Sequence, residues 1–174
     1  MRKQATDHGI VLKKLRLPNN NVSLNIFSEK SGKMHLMAYG VRKITSRRLS
    51  HLETGNYITF SYRNDDGRIF LVETELVFGY SAIKSNALKL NKVYSVLQFL
   101  NKILPENEPE PEVFADTMAL FKKLNNSDSL KTMSEEKYLQ SMLQKLGYID
   151  QQTAIMATFD VYEFIRELTG LKLQ

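Results

Sequence analysis

Apolar and polar residues alternate with period two through the first eighty positions, the mark of half-buried strands. Ile10 and Leu12 point one way in the first run, with Lys13 on the other side. Val22, Leu24 and Ile26 do the same in a second, with Ser23 and Asn25 between them. Met34, Leu36 and Ala38 form a third inward row, opposed by His35, Met37 and Tyr39. Ile58, Phe60 and Tyr62 form a fourth, opposed by Tyr57, Thr59 and Ser61. A fifth run, from Arg68 to about Tyr80, is apolar enough at Phe70, Val72, Leu76 and Phe78 to be largely covered. Turn chemistry separates the runs at Pro18-Asn19-Asn20-Asn21, Ser31-Gly32 and Asn64-Asp65-Asp66-Gly67, the last a hairpin signal. Five short strands in this span predict a small closed or nearly closed barrel.

The period then changes. Leu90, Val93, Leu97, Leu100 and Leu104 recur at helical spacing and stop at Pro105. Residues 105–111, PENEPEP, read as a short acidic breaker. Phe114, Met118, Phe121 and Leu124 make a second stripe. Ser134 is placed to cap a third helix carrying Leu139, Met142, Leu143 and Leu146, with Gly147 as its stop. Ile155, Phe159, Tyr162, Ile165 and Leu168 read as a fourth, closed by Gly170. The fold class expected is α+β: a five-stranded barrel over 1–80, then a C-terminal α-helical bundle over 81–174.

Charge separates the two halves. Residues 1–80 carry 13 Lys and Arg against 7 Asp and Glu, a net of +6, whereas residues 81–174 carry 11 against 12, a net of −1. A basic front half points to a polyanionic partner. The densest cations lie in the stretch AYGVRKITSRR, where Arg42, Lys43, Arg47 and Arg48 gather with the Ser46 hydroxyl beside Gly40, a residue that permits a sharp turn. Four cations this close repel one another unless an anion neutralises them.

Composition removes several chemistries. With no cysteine in the chain, disulfides, thiolate zinc sites and cysteine nucleophiles are excluded. No run approaches the ~20 apolar residues of a membrane span, and the basic start lacks the long apolar core of a signal peptide, so the expectation is a soluble intracellular protein without membrane contact. His8, His35 and His51 have no metal-ligand spacing. Asp65-Asp66-Gly67 reads as a plain turn. Glu73 and Glu75 share a strand face, but no third group completes an acid–base site. Phosphate-binding glycine loops and the nucleophile-elbow pattern are missing. No enzymatic activity, cofactor or metal is expected.

The order of barrel, basic loop and helices, with the residues themselves, resembles the bacterial DNA repair protein RecO family. The matching pieces are Gly9-Ile10-Val11-Leu12-Lys13, Ser31-Gly32-Lys33, Ala38, Gly40-Val41-Arg42-Lys43, Ser46-Arg47, the Glu73–Phe78 strand end, Leu104-Pro105-Glu106 and Leu146-Gly147-Tyr148. The likeness implies an oligonucleotide-binding (OB) barrel followed by a helical domain. It departs in three ways. Relatives are usually longer, many hold a four-cysteine zinc element after the LGY turn, and they commonly show a basic residue where Tyr39 stands and an acidic one near Asn20. The chain is thus similar to a short, zinc-free form of the family.

On that resemblance the chemistry is binding. A basic groove and aromatic platforms suit the phosphates and unstacked bases of single-stranded DNA. The candidate contacts are Arg42, Lys43, Ser46, Arg47 and Arg48, with Lys33 and Lys13 nearby. Tyr39 and Tyr57 are candidate stacking rings, while Tyr62, on the apolar side of its strand, reads as core. The likeness further implies single- and double-stranded DNA as ligands. It implies RecR and the acidic, aromatic-ending tail of single-stranded-DNA-binding protein (SSB) as partners, RecA as an indirect one, and a cytoplasmic, nucleoid-associated location. Lys84, Lys89, Lys92, Lys122, Lys123 and Arg166 all offer cationic rims for that tail, and the sequence does not choose among them. Two alternatives stay open: a generic OB-fold single-stranded DNA or RNA binder, and a non-enzymatic protein–protein scaffold.

Overall fold

The structure, a computed structural model, describes residues 4–40, 48–126, 135–156 and 158–173, the side chain of Arg48 excepted. Five strands, β1 (Gln4–Arg16), β2 (Val22–Ser28), β3 (Gly32–Ala38), β4 (Tyr57–Asp65) and β5 (Arg68–Phe78), close a barrel in the order β1-β2-β3-β5-β4. β1 is long enough to serve two partners, pairing antiparallel with β4 through Gln4–Ile10 and with β2 through Gly9–Arg16. The parallel seam between β3 and β5, at Met37 and Phe70, completes the closure. This is the OB-fold topology.

Gly9 is where β1 belongs to both ladders at once, opposite Ser28 and Ile58. A Cβ there would lie 2.5 Å from Ile26 Cγ2 and 2.8 Å from the Phe27 carbonyl oxygen, so only glycine fits the crossing. The hairpin signal before β5 is a tight turn: Asp66 (φ 51°) and Gly67 (φ 82°) both adopt left-handed backbone, as a two-residue hairpin loop requires. The Asn64 side-chain oxygen accepts from the Gly67 amide at 2.9 Å.

The barrel core contains Val11, Val22, Leu24, Ile26, Met34, Leu36, Ala38, Leu52, Ile58, Phe60 and Leu71, with Tyr62 and Ile69 packed against it. The inward rows expected on β2, β3 and β4 are those observed. Two expectations need correction. On β1 the barrel core takes Val11, while Ile10 and Leu12, also buried, are not members of it. Three consecutive buried apolar residues carry no alternation from which to read the inward face, and a register shift between Val11 and Lys13 follows directly. On β5 the covered residue is Leu71, whereas Leu76 and Phe78 are exposed. Register shifts at Ser61/Tyr62 and Tyr57/Ile58 displace β5 against β4 and defeat simple alternation.

A single short helix, α1 (Arg48–His51), is described between β3 and β4. After the barrel come α2 (Ser81–Lys84), α3 (Ala87–Ile103), α4 (Pro111–Asn126), α5 (Glu135–Lys145), α6 (Gln151–Ile155) and α7 (Val161–Thr169). α3 starts where the Asn86 side chain accepts from the amides of Leu88 and Lys89, and ends at Leu104 before Pro105. α4 opens with Pro111, whose missing N–H is no loss at a first helical position. α5 stops at Gly147 (φ 75°), with the Tyr148 amide returning to the Leu143 carbonyl at 2.8 Å. Ser134, the expected cap of α5, lies outside the described residues.

The fourth stripe is not one helix. Asp160 interrupts it, its carboxylate accepting from the amides of Tyr162 and Glu163 to start α7 afresh. Val161 and Ile165 are then the buried positions, while Ile155, Tyr162 and Leu168 are exposed. Gly170 (φ 72°) ends α7, as expected.

Two compact units result. One is Met1–Tyr80 with Pro105–Pro111, and the other is Ser81–Leu104 with Glu112–Gln174. The acidic segment between α3 and α4 thus returns to the barrel unit. It pairs in parallel with the start of β3 at Lys33 and Glu106, and the Asn107 amide donates to the Lys33 carbonyl at 2.9 Å.

Candidate nucleic-acid interface

On β2 and β3 alternate residues fill the barrel core, and the residues between them form a second set with those past the register shift of β1. Cross-strand register builds that second set into rows. Lys13, Asn25 and His35 form one, and Leu15, Ser23 and Met37 the next, which the β3–β5 seam extends to Phe70. His35 stitches the two rows: its Nδ1 donates to Asn25 Oδ1 at 2.8 Å, and its Nε2 lies 3.3 Å from the Ser23 hydroxyl. Lys13 is exposed at the end of its row.

Arg42, Lys43, Ser46 and Arg47, together with the side chain of Arg48, lie outside the described residues. What is described is the stem from which they issue. The Gly40 amide donates to Asn21 Oδ1 at 3.1 Å, which ties the end of β3 to the turn between β1 and β2. Tyr39 stacks on Phe70, ring centroids 5.5 Å apart at 27°. The Arg63 guanidinium sits 5.4 Å from the centroid of the same Phe70 ring and pairs with Asp65 at 3.0 Å. The basic run therefore begins at a fixed point, flanked by an amide turn and an aromatic pair.

Lys33 and Tyr57 sit elsewhere. Lys33 is half-buried beside the acidic segment, and burial lowers its pKa against the opposing pull of Glu106. Tyr57 stands at the other end of β4 from Arg63, about 20 Å along the strand. Burial first, then Glu29 and Asp7, raise its hydroxyl pKa, so its neighbourhood is anionic. His8 lies 6.1 Å from its ring. The structure thus separates the two tyrosines, leaving Tyr39 with cationic Arg63 nearby and Tyr57 with carboxylates.

The outer face of β4 and β5 has the opposite polarity. Thr59, Ser61, Glu73, Thr74 and Glu75 line an open depression of about 440 Å³, with both carboxylates exposed. Among the described residues no group of three His, Asp or Glu is placed to hold a metal ion. Nor is any described helix long and apolar enough to cross a membrane. The Glu73 and Glu75 carboxylates repel a polyanion at that depression, whereas Arg63, further along β4, and Lys13 on β1 are cationic.

Sequence reasoning missed Arg63 and Phe70. A two-residue turn at Asp66-Gly67 forces Asp65 opposite Arg68, Asn64 opposite Ile69 and Arg63 opposite Phe70. That register was available from the hairpin signal alone.

An OB-fold barrel with a basic connection after its third strand, followed by helices, defines the class. Residues 1–80 match the family model described as recombination protein O N terminal. The DNA repair protein RecO of Thermodesulfovibrio yellowstonii is 27% identical over 106 residues, covering 60% of this chain and 42% of the relative. That of Listeria monocytogenes is 24% identical over 164 residues, covering 93% and 60%, and that of a Thermoanaerobacter species is 22% identical, covering 82% and 57%. The barrel belongs to the RecO N-terminal family, and the chain is a relative of the RecO DNA repair proteins. It spans about half the length of the curated relatives it matches. A solved apo-CusF from Escherichia coli overlays 45% of the chain with a TM-score of 0.34 at 13% identity, too little for any inference.

Proposed function

We propose that this chain works as a RecO-type mediator in DNA repair and recombination. It holds single- and double-stranded DNA through cations on the barrel, largely without sequence preference, and makes or breaks no covalent bond. One observation carries this reading: the run Arg42–Arg48, with four cations in seven residues, follows directly on a stem fixed at Tyr39 and Gly40. Lys13 extends the cationic surface, and phosphate neutralisation by such groups supplies sequence-independent affinity. Lys33, beside Glu106, contributes less than its sequence position promised.

The family likeness supports the partners. The chain engages the acidic tail of SSB and RecR, helps RecA replace SSB, and anneals complementary strands, with a nucleoid-associated location. The test is strand annealing on SSB-coated complementary oligonucleotides, which requires DNA contact and SSB engagement together. Accelerated annealing is the expected result. Tight DNA binding without annealing replaces the mediator with a generic OB-fold binder.

A further inference from the structure

We propose that Tyr39, with Phe70 and Arg63 behind it, is a stacking platform for one unpaired nucleobase at the foot of the basic loop. This rests on the nucleic-acid reading above and names the part of the ligand that the site takes. Tyr39 follows the end of β3 and Phe70 lies on β5, and the two rings meet at the barrel's closing seam, where Met37 and Phe70 pair. Phe70 is half-buried and anchored, whereas Tyr39, the outer member of the stack, is 52% exposed. Arg63 reaches the Phe70 ring and is held by Asp65, which places a guanidinium beside the aromatic pair.

The chemistry of that group selects its ligand. A flat, exposed π-face backed by a second ring and edged by a cation favours a planar heterocycle carrying a phosphate. A duplex hides its base faces, so the platform recognises single strands only. The other aromatic group, Tyr57 with His8, Phe78 and Tyr80, does not qualify. Glu29 and Asp7 lie beside Tyr57, and Tyr80 is buried.

The stack also helps to close the β3–β5 seam, so the test must separate binding from barrel integrity. It uses the full chain, a labelled thymidine oligonucleotide, and a duplex of equal length. Tyr39→Ala is expected to weaken single-strand binding about tenfold, the scale of one lost base–aromatic contact, and to leave duplex binding within about twofold. Tyr39→Phe retains native affinity. Phe70→Leu, which keeps apolar volume in the seam, weakens single-strand binding in the same selective way. A 2-aminopurine in the strand reports stacking through its fluorescence, and Tyr39→Ala removes that change. Equal losses on strand and duplex, or no loss on the strand, overturn the platform. If the native chain binds neither oligonucleotide, the nucleic-acid reading itself fails, a separate and recognisable outcome.

Discussion

The Asn107 amide donates to the Lys33 carbonyl at 2.9 Å, and with the single bridge between Glu106 and Lys33 this lays the acidic segment between α3 and α4 beside the start of β3. Gly32 lets it approach. Its φ is 72°, and a Cβ at that position would lie 1.9 Å from the Glu108 carbonyl oxygen. Gly32→Ala is therefore expected to detach the segment and to cost at least about 1–2 kcal/mol, the strain of a left-handed residue alone. Hydrogen exchange at the Asn107 amide and denaturant unfolding measure the two effects. Unchanged protection at Asn107 contradicts the expectation.

Asp7 is buried beneath the turn between β2 and β3. Its carboxylate accepts from Ser28 Oγ and from Ser31 Oγ at 3.3 Å, and from the amide of His8 at 2.7 Å. The Ser28 oxygen in turn accepts from the Ser31 amide at 2.9 Å. Asp7→Ala leaves buried hydroxyls without their acceptor, and a loss of about 2–3 kcal/mol is expected in denaturant unfolding. A change indistinguishable from zero contradicts that role.

Gly9→Ala tests the β1 crossing. The added methyl meets Ile26 and the Phe27 backbone, and the barrel loses about 1–3 kcal/mol by overpacking. Gly67→Ala is the control. Its Cβ has open space, so only backbone strain is felt there.

Glu135, at the start of α5, is buried, and its Oε1 finds no partner among the described residues. Burial raises its pKa above 4.5, against the opposing effects of Lys92 and the Ser95 hydroxyl. A carboxyl whose pKa is raised in the folded state costs nothing while both states are protonated. Stability falls as pH climbs from the ordinary value to the raised one, and the loss is complete above it. Glu135→Gln is expected to raise the thermal midpoint at pH 7, with the difference vanishing near pH 4, around the ordinary glutamate value. Melting curves across that range decide it, and a gain that persists unchanged in acid contradicts the cause given.

Particular residues show what the sequence could reveal. The Asp66-Gly67 turn and the rows on β2 and β3 were legible because their chemistry is local: positive φ in one case, strict alternation in the other. The inward face of β1 was hidden by three consecutive buried apolar residues, and that of β5 by register shifts that only the partner strand defines. The break before α7 was legible in principle, since Asp160 is a capping residue, but the apolar spacing spoke louder. The docking of residues 105–111 on β3 was not legible, because it depends on a contact between segments over seventy positions apart. At the candidate interface the cations were visible as composition. The Tyr39–Phe70–Arg63 grouping needed the seam and the hairpin register together.

The most direct measurement is the salt dependence of affinity for a single-stranded oligonucleotide, on the native chain and on Arg42→Ala/Arg47→Ala. Each phosphate neutralised adds about −0.7 to the slope of log affinity against log salt. The double substitution is expected to flatten that slope by more than about one unit and to weaken binding on every sequence alike. A slope left unchanged by the two substitutions contradicts electrostatic capture by the loop.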